Sequence, residues 1–180
     1  MGKVKKPSLV KLIVGMISAE EALFEEAERR LSEKFGPVDF RSATFPFCYT
    51  DYYEKEMGRG LKRRFISFRR LIDPGHIAKI KLFTNELEKN FLHPHSLNRR
   101  INLDPGYVCL SKLVLVTTKN QQHRLYLGDG IYGEVTLRYR RGKGFEPWQW
   151  TYPDYRTAEY LEIFNKIREL YRGQIKISEE

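Results

Sequence analysis

Cysteine is scarce in this sequence, and long apolar runs are missing. The 180 residues include two cysteines, Cys48 and Cys109, which are too few for a disulfide framework or a four-cysteine zinc site. The longest apolar run, Leu12 to Ile17, is far shorter than the roughly 20 residues that span a bilayer. No apolar stretch of roughly 7–15 residues follows the basic N-terminus, as a secretory signal peptide would require. These absences predict a soluble, cytoplasmic protein without a membrane partner.

The signature motifs of several common enzyme classes are absent as well. There is no G-x-x-x-x-G-K-[ST] phosphate-binding loop and no G-x-G-x-x-G after the first predicted strand. The metalloprotease pattern H-E-x-x-H, the hydrolase elbow G-x-S-x-G and the redox pair C-x-x-C are missing too. An enzymatic activity would therefore need a site of an unfamiliar kind.

Lysine and arginine are abundant and unevenly distributed. The chain carries 32 Lys and Arg against 23 Asp and Glu, a formal net charge of +9. Basic residues concentrate at 59–70, 99–100 and 138–143, whereas acids concentrate at 20–28 and 51–56. This segregation predicts a basic face that binds a polyanion, because Lys and Arg neutralise phosphates. The alternative is a heavily charged surface without a ligand, as in heat-adapted proteins.

Periodicity in residues 1–106 predicts an α+β fold with a ferredoxin-like core. The order of elements is β-α-β-β-α-β, which packs two helices on one face of an antiparallel sheet. Hydrophobic residues make up 41% of the chain, enough for a single domain over 1–180. The predicted elements are a strand at 11–17, a helix that starts after Ser18 and ends at Gly36-Pro37, strands at 38–45 and 61–71, a helix that begins at Asp73-Pro74, and a strand from Arg100.

Residues 107–180 are predicted to add a β-hairpin and a helix to this core. The apolar run 113–117 favours a buried strand, although a buried helix starting near Asp104 fits it too. The hairpin is expected to turn through a three-residue loop with Gly130 in the left-handed region. That register pairs Leu125 with Gly133 and Arg124 with Glu134 and keeps the acid out of the core. The last helix is predicted over 157–172, with Gly173 as its end.

The segment from Arg99 to Arg138 combines cations, hydroxyls and carboxylates, as a site for an anionic ligand requires. His123 is a candidate acid or base because an imidazole can exchange a proton near neutral pH. Asp104 and Glu134 are candidate catalytic carboxylates that could hold Mg²⁺. The alternative is that Glu134 only pairs with Arg124, Asp104 caps a turn, and Lys119 and His123 are solvated. The candidate ligand-binding residues of this segment are Lys112, Thr118, Lys119, Arg124 and Arg138.

A long predicted loop at 47–60 is dense in aromatic and acidic residues. Asp51, Tyr52 and Tyr53 are its candidate ligand-binding residues, since such a loop can stack a base or cover a pocket. The alternative is that its aromatic side chains anchor the loop to the core.

Several runs resemble a bacterial domain-of-unknown-function family over nearly the whole chain. They are RINLDPGY at 100–107, SKLVLVTTK at 111–119, HRLYL at 123–127, WTYPDYR at 150–156, FPF at 45–47 and DYY at 51–53. The resemblance implies a small, cytoplasmic, single-domain protein with no established activity, and some similar sequences carry a GTP-binding label. It assigns no functional residue.

Three functional hypotheses therefore stand. The first is binding of a phosphate-bearing ligand, either a nucleotide or a nucleic acid. The second is a Mg²⁺-dependent enzyme that acts on a phosphate ester or nucleotide. The third is a protein-interaction domain without catalysis.

Overall fold

A computed structural model describes residues 2–177 of the chain. They form nine strands and four α-helices, with short 3₁₀ turns at 74–76 and 154–156. The strands are β1 (Val10–Ser18), β2 (Val38–Arg41), β3 (Phe45–Pro46), β4 (Lys62–Ile72), β5 (Ile101–Val108), β6 (Lys112–Thr117), β7 (Leu125–Gly128), β8 (Ile131–Arg140) and β9 (Gly144–Pro147). The helices are α1 (Glu21–Phe35), α2 (Glu54–Met57), α3 (Ile77–Lys89) and α4 (Ala158–Ile177).

All nine strands belong to one antiparallel sheet. Its order is β2-β4-β1-β5-β6-β8-β7, while β3 pairs with β4 and β9 pairs with β8. The predicted α+β class is confirmed. The strands of the predicted C-terminal extension continue the same sheet, because β6 pairs with β5.

Both faces of the sheet are covered by helices. Side chains alternate along β1, so Leu12, Val14 and Met16 pack with α1 and α3 on one face. Ile13 packs on the opposite face with residues of α4, such as Phe164. This double burial explains why β1 is a continuous apolar run rather than an alternating one. No helix within residues 2–177 combines the length and the apolar content that crossing a membrane demands.

The hairpin of β7 and β8 has the predicted pairing but a different turn. Leu125 pairs with Gly133, as predicted. Asp129 and Gly130 both have positive φ, 53° and 75°, and form a two-residue turn. The register shifts between Tyr126 and Gly128. The extra residue therefore lies in a bulge at Leu127 and not in a three-residue loop.

Three other predicted elements have different bounds. The strand predicted at 38–45 is divided into β2 and β3, and the predicted loop at 47–60 contains α2. Gly173 does not end the last helix, since α4 continues to Ile177. The apolar stripe of α4 outweighs the cost of one glycine inside a helix.

The sheet divides between β5 and β6. These strands pair only over Gly106–Val108 and Leu113–Leu115, although β5 pairs with β1 along its whole length. β6 continues to pair with β8 as far as Thr117. Pro105 helps to end the β5–β6 pairing, because proline has no N–H to donate to a neighbouring strand. The divergence leaves 101–105 of β5 without a second strand partner among the described residues.

Candidate functional site

A cavity of about 710 Å³ occupies the divergence between β5 and β6. One wall is the open edge of β5, and a second is formed by residues of β6 and the segment that follows it. Helix α3 contributes Lys81, Asn85 and Glu88, which we call the helix wall. Residues 152–155 and the loop at 47–53 complete the lining. The cavity thus exists because the sheet opens at this point.

Side chains of the helix wall replace the strand that β5 lacks. The backbone N–H of Leu103 donates to Glu88 Oε1 at 2.6 Å. The carbonyl oxygen of Leu103 accepts from Lys81 Nζ at 2.8 Å. Both backbone groups are satisfied although no strand is present. Burial raises the pKa of Glu88, and the charges of Lys81 and Arg99 only partly oppose this rise.

Arg63 links two carboxylates beneath the cavity. Its Nη1 lies 3.4 Å from Asp104 Oδ2, and its Nη2 lies 3.2 Å from Asp154 Oδ2. Burial by itself would raise the pKa of Asp104, but Lys81 and Arg63 outweigh it and hold the pKa below its ordinary value. Burial raises the pKa of Asp154 in spite of Arg63. The charges on this side of the cavity are therefore largely neutralised within the protein.

Arg99 ties the aromatic loop to the cavity wall. Its guanidinium donates to Glu56 of α2 at 2.7 Å and to Glu88 at 2.9 Å. It also donates to Asn102 Oδ1 at 2.9 Å. Asn102 in turn donates to Asp104 at 2.7 Å. This chain of charge-assisted hydrogen bonds fixes the position of α2 relative to β5.

Tyr52 and Lys119 form an exposed pair, which we call the mouth. Lys119 Nζ lies 3.7 Å from the centre of the Tyr52 ring, within the range of a cation–π contact. Tyr52 is 58% exposed, and its ring packs edge-on against Tyr53 at 5.0 Å. Phe47 packs against Tyr53 at 6.0 Å and anchors the loop. The loop therefore both attaches to the core and covers part of the cavity.

Glu134 connects the hairpin to the cavity. Arg124 Nε donates to Glu134 Oε2 at 2.7 Å, and His123 Nε2 lies 3.1 Å from the same oxygen. Arg124 also donates to the hydroxyl of Tyr152. The imidazole of His123 stacks on Trp150 with ring centres 5.7 Å apart. Glu134 is buried, contrary to the expectation that the register keeps it out of the core, and Arg124 neutralises its charge on this side of the cavity.

The structure brings many of the predicted site residues together and separates others. Lys112 lies opposite Arg138 in the β6–β8 register, and neither residue lines the cavity. Arg138 instead packs over the Trp148 ring at 4.5 Å. Asp51 and His123 do not line the cavity either. Asp51 is exposed, and His123 contacts the lining residue Glu134. The predicted residues that line the cavity are Tyr52, Tyr53, Asp104, Thr118, Lys119, Arg124 and Glu134.

The two predicted Mg²⁺ ligands already contact cations. Asp104 is next to Arg63 and Lys81, and Glu134 is next to Arg124. The alternative interpretation, in which Asp104 caps a turn, is wrong, because Asp104 lies inside β5. Within residues 2–177, no cluster of three or more His, Cys, Asp or Glu side chains is arranged to hold a metal ion.

Sequence reasoning missed the cations and acids contributed by other elements. Arg63 belongs to the basic run at 59–70 from which the sequence predicts a surface, yet it shares a strand face with buried Phe65. A charged residue at an inward position of an apolar strand is the signal that could have found it. Lys81 and Glu88 lie in the helix that begins after Asp73-Pro74, and the apolar stripe of a helix does not identify polar residues that face a cavity. The charged lining residues outside the predicted segment are Arg63, Lys81, Glu88 and Asp154, while Arg99 begins that segment without being one of its candidates.

Comparisons with known proteins give a family but no activity. Comparison with curated proteins and with solved structures found no match. A family model described as a domain of unknown function, DUF4416, matches residues 8–171. That range contains all nine strands and every residue of the cavity lining. The chain belongs to the DUF4416 family, whose function is unknown.

Proposed function

We propose that this protein binds a small phosphate-bearing ligand, of the size of a mononucleotide, in the cavity between β5 and β6. The volume of about 710 Å³ falls within the roughly 300–1,000 Å³ of sites that enclose small molecules. Tyrosine rings and hydrogen-bonding groups lie together in its lining, a combination that suits a flat polar ligand.

The observation that carries this proposal is that Lys119 has no carboxylate partner among the described residues. It lines the cavity, and its ammonium group contacts the Tyr52 ring but no carboxylate of the described residues within 4.0 Å. A phosphate at this position would gain a charge-assisted hydrogen bond without breaking an existing ion pair. Thr118 and Gln121, which are close to Lys119 in sequence, also line the cavity and add polar groups.

The position of the other predicted cations favours a small ligand over a nucleic acid. Lys112 and Arg138 are neighbours across β6 and β8, away from the lining of the cavity. Arg138 is close to Glu146, at 3.5 Å, so part of its charge is already compensated. A nucleic-acid surface would use Lys112 and Arg138 together, yet both are only half-exposed, whereas a cavity ligand needs Lys119 alone.

Calorimetric titration of the full chain with AMP, CMP, GMP, UMP and inorganic phosphate tests the proposal. Binding of at least one nucleotide is expected, and Lys119→Met should weaken it by about 1.5–3 kcal/mol, as for a hydrogen bond to a charged group. Lys112→Met is the matched control and should change the affinity by less than about 0.5 kcal/mol. Equal losses in both variants would favour the basic face instead, and no binding of any probe would overturn the proposal.

A Mg²⁺-dependent enzyme has less support from the geometry. His123 and Glu134 form a close pair beside the cavity, but Arg124 shares the same carboxylate. A metal ion at Asp104 and Glu134 would stand next to Arg63 and Arg124, and like charges oppose its binding. Loss of nucleotide turnover in His123→Gln, with binding unchanged, would revive this alternative.

Protein interaction is a second candidate because one edge of the sheet is apolar and open. Leu125, Tyr126 and Leu127 of β7 are 76%, 62% and 44% exposed, and β7 is the last strand of the sheet. Exposed edge strands can pair with other chains. Sedimentation of the wild type and of Leu125→Lys would detect self-association through this edge.

We also propose that the first part of the sheet is a ferredoxin-like unit within a single domain. The order β2-β4-β1-β5 and the position of α1 and α3 on one face support this assignment. A cytoplasmic location remains a prediction, to which the two free cysteines are suited.

A further inference from the structure

The charges around the cavity are compensated everywhere except at the mouth. The lining contains five cations and four carboxylates. Arg99 contacts Glu88, and Arg124 contacts Glu134. Arg63 and Lys81 both contact Asp104. An ionised group of a ligand would therefore find an uncompensated partner only at Lys119, among the residues that the structure describes.

The helix wall offers uncharged hydrogen-bonding groups instead. Asn85 follows Lys81 by four residues and precedes Glu88 by three, so all three side chains share one face of α3. Lys81 and Glu88 are occupied by Leu103. The Asn85 amide lines the cavity and has no hydrogen-bond partner among residues 2–177. It can therefore both donate to a ligand and accept from it.

Tyr53 provides a second free group on the lining. Its hydroxyl has no hydrogen-bond partner among the described residues. The hydroxyl of a tyrosine carries its proton at neutral pH, and burial raises the pKa of Tyr53 further above its ordinary value, so the hydroxyl is a donor. An ionised ligand group next to Tyr53 and Asn85 would lose its hydration without gaining a counter-charge, which is costly in a partly buried site.

We infer that the ligand binds in one orientation, with its uncharged hydrogen-bonding body against Asn85 and Tyr53 and its phosphate at Lys119. This inference rests on the proposed function and adds the polarity of the ligand. For a mononucleotide, the nucleoside part would lie inside the cavity and the phosphate would lie at the mouth. The helix wall would then discriminate between ligands by the hydrogen-bonding groups of the nucleoside part.

Matched nucleosides and nucleotides test this orientation directly. The probes are adenosine, cytidine, guanosine and uridine, each compared with its 5′-monophosphate, on the full-length wild type, Lys119→Met and Asn85→Ala. Lys119→Met is expected to weaken nucleotide binding by about 10- to 100-fold and nucleoside binding by less than about 2-fold, since a charged hydrogen bond is lost only with phosphate. Asn85→Ala is expected to weaken both members of a pair equally, by about 2- to 10-fold. Lys112→Met serves as the surface control.

The outcomes separate the orientation from the binding itself. If nucleotides bind and Lys119→Met weakens a nucleoside as much as its monophosphate, the orientation is wrong while the proposed function stands. The same holds if Asn85→Ala has no effect, or affects only the phosphorylated member of a pair. If no nucleotide binds the wild type, the proposed function fails and this inference fails with it. Tyr53→Phe, which removes only the free hydroxyl, provides an independent variant and should act like Asn85→Ala.

Discussion

The backbone N–H of Leu103 donates a 2.6 Å hydrogen bond to the carboxylate of Glu88, so a helix side chain takes the place of a strand. This contact lets β5 keep an open edge inside the protein, because an unsatisfied buried N–H would be costly. Lys81 performs the complementary task at the Leu103 carbonyl. The cavity between β5 and β6 depends on these two side chains, which form the hydrogen bonds that a neighbouring strand would otherwise form with Leu103.

Removal of the Glu88 carboxylate should therefore destabilise the fold. Glu88→Ala leaves the N–H of Leu103 without its acceptor and Arg99 without one of its partners. We expect a loss of about 1–3 kcal/mol in the free energy of unfolding, measured by urea denaturation. Glu88→Gln keeps an acceptor for Leu103 and should lose less. Equal losses in the two variants would show that the hydrogen bond to Leu103 contributes little.

The pH dependence of stability should differ in sign between two carboxylates of the site. The pKa of Asp104 lies below its ordinary value, so its stabilising contribution is present above pH 4 and is lost as the pH falls further. The pKa of Glu88 is raised by burial, so the folded state binds a proton more readily and gains stability as the pH falls from neutral toward about 4.5.

Two variants measure these slopes against the wild type. The stability advantage of the wild type over Asp104→Asn should shrink as the pH falls from 5 to about 3. The stability advantage of the wild type over Glu88→Gln should grow as the pH falls from 7 to about 4.5. Denaturant titrations at several pH values provide both differences. Slopes of the same sign would contradict the assigned charge environment.

Arg63 should be essential for stability because it neutralises buried acids. Arg63→Met leaves Asp104 and Asp154 without the guanidinium that contacts them. Breaking a buried ion pair in this way costs about 3–5 kcal/mol. Arg59→Met is the control, since the Arg59 side chain is 91% exposed, and its effect should be within about 0.5 kcal/mol. A small effect at Arg63 would mean that the two carboxylates are solvated.

Two glycines should respond to alanine in opposite directions. A Cβ atom at Gly106 would lie 2.3 Å from the Val114 carbonyl oxygen, so Gly106→Ala forces apart β5 and β6 where they still pair. We expect a loss of about 1–3 kcal/mol. A Cβ atom at Gly173 meets nothing within 4 Å, so Gly173→Ala inside α4 should gain about 0.5–1 kcal/mol. Thermal denaturation of both variants checks the pair.

The order of most elements could be predicted because their signals are local. The apolar run of β1 and the stripe on α4 determine buried faces without help from distant residues. The predicted register pairs Arg124 with Glu134, and this pair is present at 2.7 Å. Its premise, that the register keeps Glu134 out of the core, is wrong, because Glu134 is buried with Arg124 as its counter-charge. These predictions used spacing and charge alone.

Other features depend on contacts that sequence spacing does not encode. Asp-Pro-Gly occurs twice, and at Asp73 the carboxylate accepts from Gly75 and starts a helical turn. At Asp104 the same tripeptide lies inside β5, because pairing with β1 overrides the local turn preference. The opening between β5 and β6 arises from that pairing and from α3. Lys81, Asn85 and Glu88 could therefore not be assigned to the site before the fold was known.

Hydrogen–deuterium exchange of the full chain, with and without the tightest-binding mononucleotide of the titration panel, tests the location of the site most directly. The proposed cavity predicts slower exchange in 47–53, 101–105 and 117–121, the segments that line it or form its open edge. It predicts no change around Arg138 or in the turn at 141–143. Slower exchange confined to these latter residues would contradict the cavity as the ligand site.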